Sequence, residues 1–248
     1  MRVDGSFLAA YRDLEGRMKA LAEADGDVFL PNPEPEGPVD YVFTCMEPSL
    51  GRWARSAEEA KSKIDAGFRN FLFSTEISIL HFCIRRYLCK STQRYHITDF
   101  SKGAMLVKGA ERGRIQRYDR WYPLLQEEIN LVAISDAAIF AVGKVVSQNL
   151  ERLRFQRPFT PIIHYSALAA RARSAEIVRL HQEDTFEAFR GSVSIQDVAD
   201  TAGAVLREAH VLGKMYDEAL SGLLKSQLST SRQQLIFSYK LAFELIRA

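Results

Sequence analysis

Apolar side chains recur at four- and three-residue steps over Phe7, Tyr11, Leu14, Met18 and Leu21, the period of an amphipathic helix. A proline-rich stretch follows, with Pro31, Pro33, Pro35 and Pro38, and reads as an extended connector. Four short apolar runs come next, at 41–45, 95–98, 137–142 and 160–163. Each is closed by polar or glycine residues, as buried strands are. Helical patterns lie between most of them. Ser56 and Glu59 form a Ser-x-x-Glu helix start before a pattern reaching Phe68. Ile77 to Leu88 is strongly apolar, and Gly143 to Leu153 begins directly after a strand. Strands alternating with helices predict a parallel sheet covered on both faces. The fold class expected is therefore α/β, a three-layer α/β/α arrangement with a central four-stranded, mostly parallel sheet. Beyond Ser174 the strand signals fade. Helices are expected over 195–212, 215–228 and 232–246, the last capped by Ser231 with Gln234. The whole chain is expected to form one domain: helix and connector over 1–39, α/β core over 40–174 and a helical part over 175–248.

With 248 residues, 47% of them hydrophobic, the chain can bury a large core. Its net charge of +2 says little, but its distribution says more. Basic residues dominate from Lys102 to Arg120 and from Lys144 to Arg179, and acids dominate from His181 to Glu218. Such asymmetry marks either a polyanion-binding face or ordinary solvated surfaces. Cys45, Cys83 and Cys89 are unclustered, which argues against a disulfide framework or an iron–sulfur site. No metal-ligand spacing is found. No apolar run is long enough to span a membrane. Arg2, Asp4, Arg12 and Asp13 interrupt the N-terminus, so no secretory leader is expected. A cytoplasmic protein follows, with no membrane partner and no cofactor.

In an open parallel sheet, ligands bind beyond the carboxyl ends of the strands. Three of these ends carry unusual residues. The run at 41–45 leads into Glu47, Pro48 and Ser49. "YHITDFSKG" contains Asp99. "PIIHYSALAARAR" contains His164 and Ser166. Taken singly, each reads as a surface acid, a turn residue or a structural histidine. Two acids and an imidazole at one sheet edge form a set that a reaction could use.

In their order and spacing these segments resemble the uracil-DNA glycosylase superfamily. Cys45-Met46-Glu47-Pro48-Ser49 is similar to its first-strand motif, an acid before proline. His164-Tyr165-Ser166-Ala167-Leu168 is similar to its last motif. "YHITDFSKG" resembles the strand ending in Thr-Asn, "AIFAVGKVVSQNL" the strand-to-helix segment, and "RNFLFSTEISIL" the segment carrying the aromatic that stacks on the base. The match covers about 40 to 173. The resemblance implies a DNA repair enzyme that flips uracil out of DNA and hydrolyses its N-glycosidic bond, leaving an abasic site. Glu47 would stabilise the oxocarbenium-like sugar and position water. His164 would donate to uracil O2, as a neutral ring or a cation. Met46, Ser49, Phe71, Phe73 and Asp99 would surround the base, with Phe71 ahead of Phe73 as the stacking ring. Asp99 departs from the family's Asn: an ionised carboxylate accepts from N3–H but repels O4. Leu168 would be the wedge that fills the gap left by the base. Ser166, Arg171, Arg173, Lys102, Arg112, Arg114 and Arg117 would meet the DNA. The implied partner is uracil-containing DNA, single- or double-stranded, bound by a monomer that is nucleoid-associated through it.

Two other readings stand beside this one. A hydrolase could use Ser49 or Ser166 with His164 and Glu47, although the G-x-S-x-G elbow is missing. A non-catalytic nucleic-acid-binding protein of the same fold is the other, motivated by Asp99.

Overall fold

The computed structural model of the chain describes residues 5–51, 53–105 and 113–247. Its fold is α/β, with a four-stranded parallel sheet flanked by helices. The chain divides into two compact units, Met1–Asn70 with Gln93–Pro161, and Phe71–Thr92 with Ile162–Ala248.

The first unit opens with helix α1, Gly5–Ala24, which buries Tyr11, Leu14, Met18 and Ala22. These are three of the five expected stripe positions, with Ala22 in addition. Strands β2 (Val39–Cys45), β3 (Tyr95–Asp99) and β5 (Ala133–Val142) form the expected sheet with β6 (Phe159–Ile162), in the order β3-β2-β5-β6. β2 pairs in parallel with β3 and β5 and is buried on both faces from Val42 to Cys45. That explains why this run is continuously apolar or β-branched rather than alternating. β5 begins earlier than its apolar run. The register jumps from Val39 opposite Ala133 to Tyr41 opposite Ala138, an irregularity that leaves Ser135 and Asp136 exposed. Arg157 donates to the carbonyls of Ile134, Ser135 and Ala137 there, at 3.0–3.2 Å, so these acceptors are satisfied without a ladder.

A two-stranded antiparallel ladder of β1 (Val28–Phe29) and β4 (Gly103–Ala104) has no sequence counterpart. Two residues are too short for a periodic signal. A Cβ on Gly103 would fall 2.7 Å from Asp27 Oδ2, so only glycine permits this approach. Helix α2 (Ala57–Asp65) starts at the expected cap, where Ser56 Oγ accepts from the Glu59 N–H at 3.2 Å. The Glu59 carboxylate reaches back to the Arg55 N–H. Helix α4, Arg114–Val132, occupies the basic stretch and packs Tyr118, Leu125, Ile129 and Val132 onto the core with Val42, Ile139 and Ala141. Helix α5, Lys144–Arg152, follows Gly143, whose φ of +96° suits glycine at the strand-to-helix turn.

In the second unit, helix α3 (Thr75–Cys83) continues into a π-helical turn, Ile84–Leu88, closed by the Cys89 N–H on Ile84 O. Helices α6 (Ala170–Arg179), α7 (Glu183–Phe189), α8 (Ile195–Glu208), α9 (Gly213–Leu224) and α10 (Thr230–Arg247) follow. The expected Ser231–Gln234 cap is not used. Ser231 lies inside α10, and Ser229 Oγ accepts from the Arg232 N–H instead. Among the described residues no helix is long and apolar enough to cross a membrane.

Candidate functional site

The carboxyl ends of β2 and β3 lie side by side, with Cys45 opposite Asp99. Glu47 and Asp99 therefore share one sheet edge, as expected. Their states differ from what the sequence suggests. Glu47 is not an open carboxylate. Arg114 donates to its Oε1 from Nε at 2.8 Å and from Nη2 at 2.6 Å, and Tyr118 donates to Oε2. Its side chain is 2% exposed, that of Arg114 20%. Burial, with Glu47 adjacent, pushes the Tyr118 phenol far up, so it remains a donor. Glu47 is thus a fixed, paired anion rather than one free to handle water.

Asp99 is buried. Burial raises its carboxyl well above the usual range, with Glu47 and Glu128 adding to the shift and Lys102 and Asn70 opposing it. Asn70 Nδ2 donates to Oδ2 at 2.5 Å. A protonated Asp99 offers one donor and one acceptor, as an amide does.

Behind this edge lies a charge cluster that sequence reasoning missed. Glu128 of α4 is fully buried. It accepts from Lys102 Nζ at 2.7 Å, His96 Nε2 at 2.9 Å and Thr98 Oγ1 at 2.8 Å. Burial alone would raise Glu128; Lys102 and then His96 outweigh it and hold the carboxyl down at about 2. A signal was present. His96 and Thr98 are alternate residues on one face of an apolar strand, and Glu128 interrupts the α4 stripe of Leu125, Ile129 and Val132. Each polar group buried this way requires a partner.

The basic face shrinks on inspection. Lys102, expected on DNA, is 1% exposed and committed to Glu128 and Thr98. Arg114 is committed to Glu47, and Arg117 is buried, 4.0 Å from Asp27. Arg112 lies outside the described residues. Met46 packs half-buried against the core. Ser49 forms a bridge with Met105, and its carbonyl accepts from Trp53 Nε1 at 2.7 Å.

In the second unit, His164 stands two residues after β6. The Ser166 backbone N–H, not its hydroxyl, donates to His164 Nδ1 at 3.0 Å. Nδ1 is therefore an acceptor in this contact. Arg173 was expected on phosphate. It is instead 2% exposed, and it donates from Nη1 to the carbonyls of His164 (3.2 Å) and Ser166 (2.9 Å) and from Nη2 to Ser231 Oγ (2.8 Å). It braces the loop from beneath. Leu168, at the tip, is 96% exposed, and Arg171 is exposed beside it in sequence.

Against protein-family models, curated proteins and solved structures, the chain gives no match.

Phe71 and Phe73 also part company. Phe71 is buried and holds φ at +58°, a left-handed conformation that costs a bulky residue about 1–2 kcal/mol. Its carbonyl accepts from His81 Nε2 at 2.8 Å, and burial lowers His81 to about 4. Phe73 packs with Leu72, Leu206 and Leu220. Among the described residues no group of three or more His, Cys, Asp or Glu could hold a metal ion.

Proposed function

We propose that the protein is a DNA glycosylase that extrudes uracil and hydrolyses its N-glycosidic bond. The observation that carries this reading is the His164–Leu168 loop. A leucine left in water forgoes about 1.5–3 kcal/mol of burial. Here the leucine sits on a loop held by a buried guanidinium. An apolar tip followed three residues later by an exposed arginine suits insertion into a base stack.

The same loop supplies the chemistry at the base. As the bond from C1′ to N1 breaks, its electron pair passes into the uracil ring and charge gathers on O2. His164, on this loop, is the imidazole assigned to donate to that oxygen. Such a donor contributes about 3 kcal/mol, a hundredfold or more in rate. Water adds to C1′ and releases a proton, giving free uracil and an abasic sugar. Glu47, in the first unit, is already paired with Arg114 and Tyr118. Its removal is expected to cost less than that of His164.

The test is single-turnover release of uracil from an oligonucleotide carrying one deoxyuridine. Wild type is expected to release it without added metal, and His164→Ala to be slower by about a hundredfold. The closed Glu47 pair favours one second reading, nucleic-acid binding without catalysis. Salt-dependent DNA retention with no base release would select it.

A further inference from the structure

Independently of that loop, the second unit contains a cavity of about 270 Å³. Its walls come from the segment entering α3 and from α8 and α9. The two latter helices approach closely at Gly203, where a Cβ would lie 3.0 Å from the Tyr216 hydroxyl oxygen. Phe73, Leu206 and Leu223 supply apolar walls.

The polar lining side chains are Ser74, Thr75, Ser78 and Glu218, and Thr75 Oγ1 shares a hydrogen bond with Ser226 Oγ at 3.1 Å. Ser78 is buried and gives its hydroxyl proton to Ser74 O at 3.1 Å, so its Oγ remains an acceptor. Ser74 Oγ accepts from the Ile77 N–H at 3.2 Å, so its hydroxyl proton remains a donor. One acceptor, on buried Ser78, and one donor, on exposed Ser74 at the mouth, therefore stand one helical turn apart among the lining residues. They complement a ligand edge with N–H next to C=O. Glu218 is the charged lining residue among those described, and Lys214 Nζ lies 3.7 Å from its Oε1, so the charge is already paired and a neutral ligand fits. Size narrows the class further. A cavity near 150 Å³ holds benzene; this one is nearly twice that and accepts two fused rings.

We propose that this cavity binds a neutral two-ring heteroaromatic lactam, with its flat apolar body against Phe73 and the leucines and its amide edge on Ser74 and Ser78. The same chemistry occurs in free oxopurine bases and in plain aromatic lactams, and two probes separate these sources.

The experiment titrates the full chain at pH 7 with hypoxanthine, 2-quinolinone and quinoline, which lacks the amide edge. Saturable binding of either lactam is expected, tighter than quinoline by about fivefold or more. Preference for hypoxanthine assigns the site to purine bases, and preference for 2-quinolinone to aromatic lactams. Ala202→Leu fills the cavity and should abolish binding of all three. Ser78→Ala, a small change in a buried hydroxyl, should bring the lactams down to quinoline's level without weakening quinoline. No saturable lactam binding in wild type overturns the proposal. So does unchanged binding in Ala202→Leu, or an unchanged lactam preference in folded Ser78→Ala, the variant that decides if Ala202→Leu does not fold.

Discussion

The two units bury polarity in opposite ways. The first encloses a constellation of charges and acids: Glu128 with Lys102 and His96, Glu47 with Arg114, and Asp99 with Asn70. Among the described residues, the second buries mainly neutral groups, among them His81 and Ser78, and a single guanidinium, Arg173. A buried ion cluster gives little net stability when complete and is costly when broken. A lone clamp acts locally. Disruption in the first unit should therefore unfold, and disruption in the second should loosen one loop.

The largest effect is expected at Glu128. Glu128→Ala leaves Lys102 and His96 buried without their anion and should cost about 3–5 kcal/mol in chemical denaturation. Glu128→Met combined with Lys102→Met should recover most of that loss. If the single change costs less than about 1 kcal/mol, the cluster is not what orders this unit.

Arg173 comes next. Arg173→Ala should cost about 2–3 kcal/mol, and Arg173→Lys should recover little, because an ammonium cannot bridge two carbonyls and a hydroxyl in one plane. Hydrogen exchange should rise over 163–169 while the first unit stays protected. Loss of protection across both units would erase the contrast.

The smallest effect is a pH dependence. Glu15 has Oε1 buried without a hydrogen-bond partner, and burial raises its carboxyl to about 7, with Glu128 and Glu34 adding and Lys102 opposing. Folded Glu15 thus holds a proton that the unfolded chain loses near 4.5. The stability from neutral Glu15 is complete below about 4.5 and is lost as pH rises through about 7. Glu128 has the opposite sign: its contribution is present above about 4.5 and is lost as pH falls toward 2. Glu15→Gln should stabilise the protein by about 1 kcal/mol at pH 8 and leave pH 4 unchanged.

The contrast also explains what could be read from the sequence. Strands with continuous apolar runs, such as 41–45, were legible because burial on both faces leaves no other pattern. β1 and β4 were not, since a two-residue ladder is set by tertiary contact. Asp99 and Glu47 were placed at the correct edge by topology, but their partners Asn70 and Tyr118 are distant in sequence and carry no local signal. Lys102 and Arg173 were misassigned because a long basic side chain has the same composition whether it meets phosphate or a buried acceptor. Arg173 did carry a clue: it falls one turn before Ile177 on the buried side of α6.

The most direct measurement compares wild type and Leu168→Ala in uracil release from duplex and single-stranded DNA. If the exposed tip fills the gap behind an extruded base, the substitution should slow release at least tenfold on duplex and little on single strands, where no stack must be replaced. Equal rates for the two proteins on duplex DNA, or no release of uracil by wild type at all, would contradict the account.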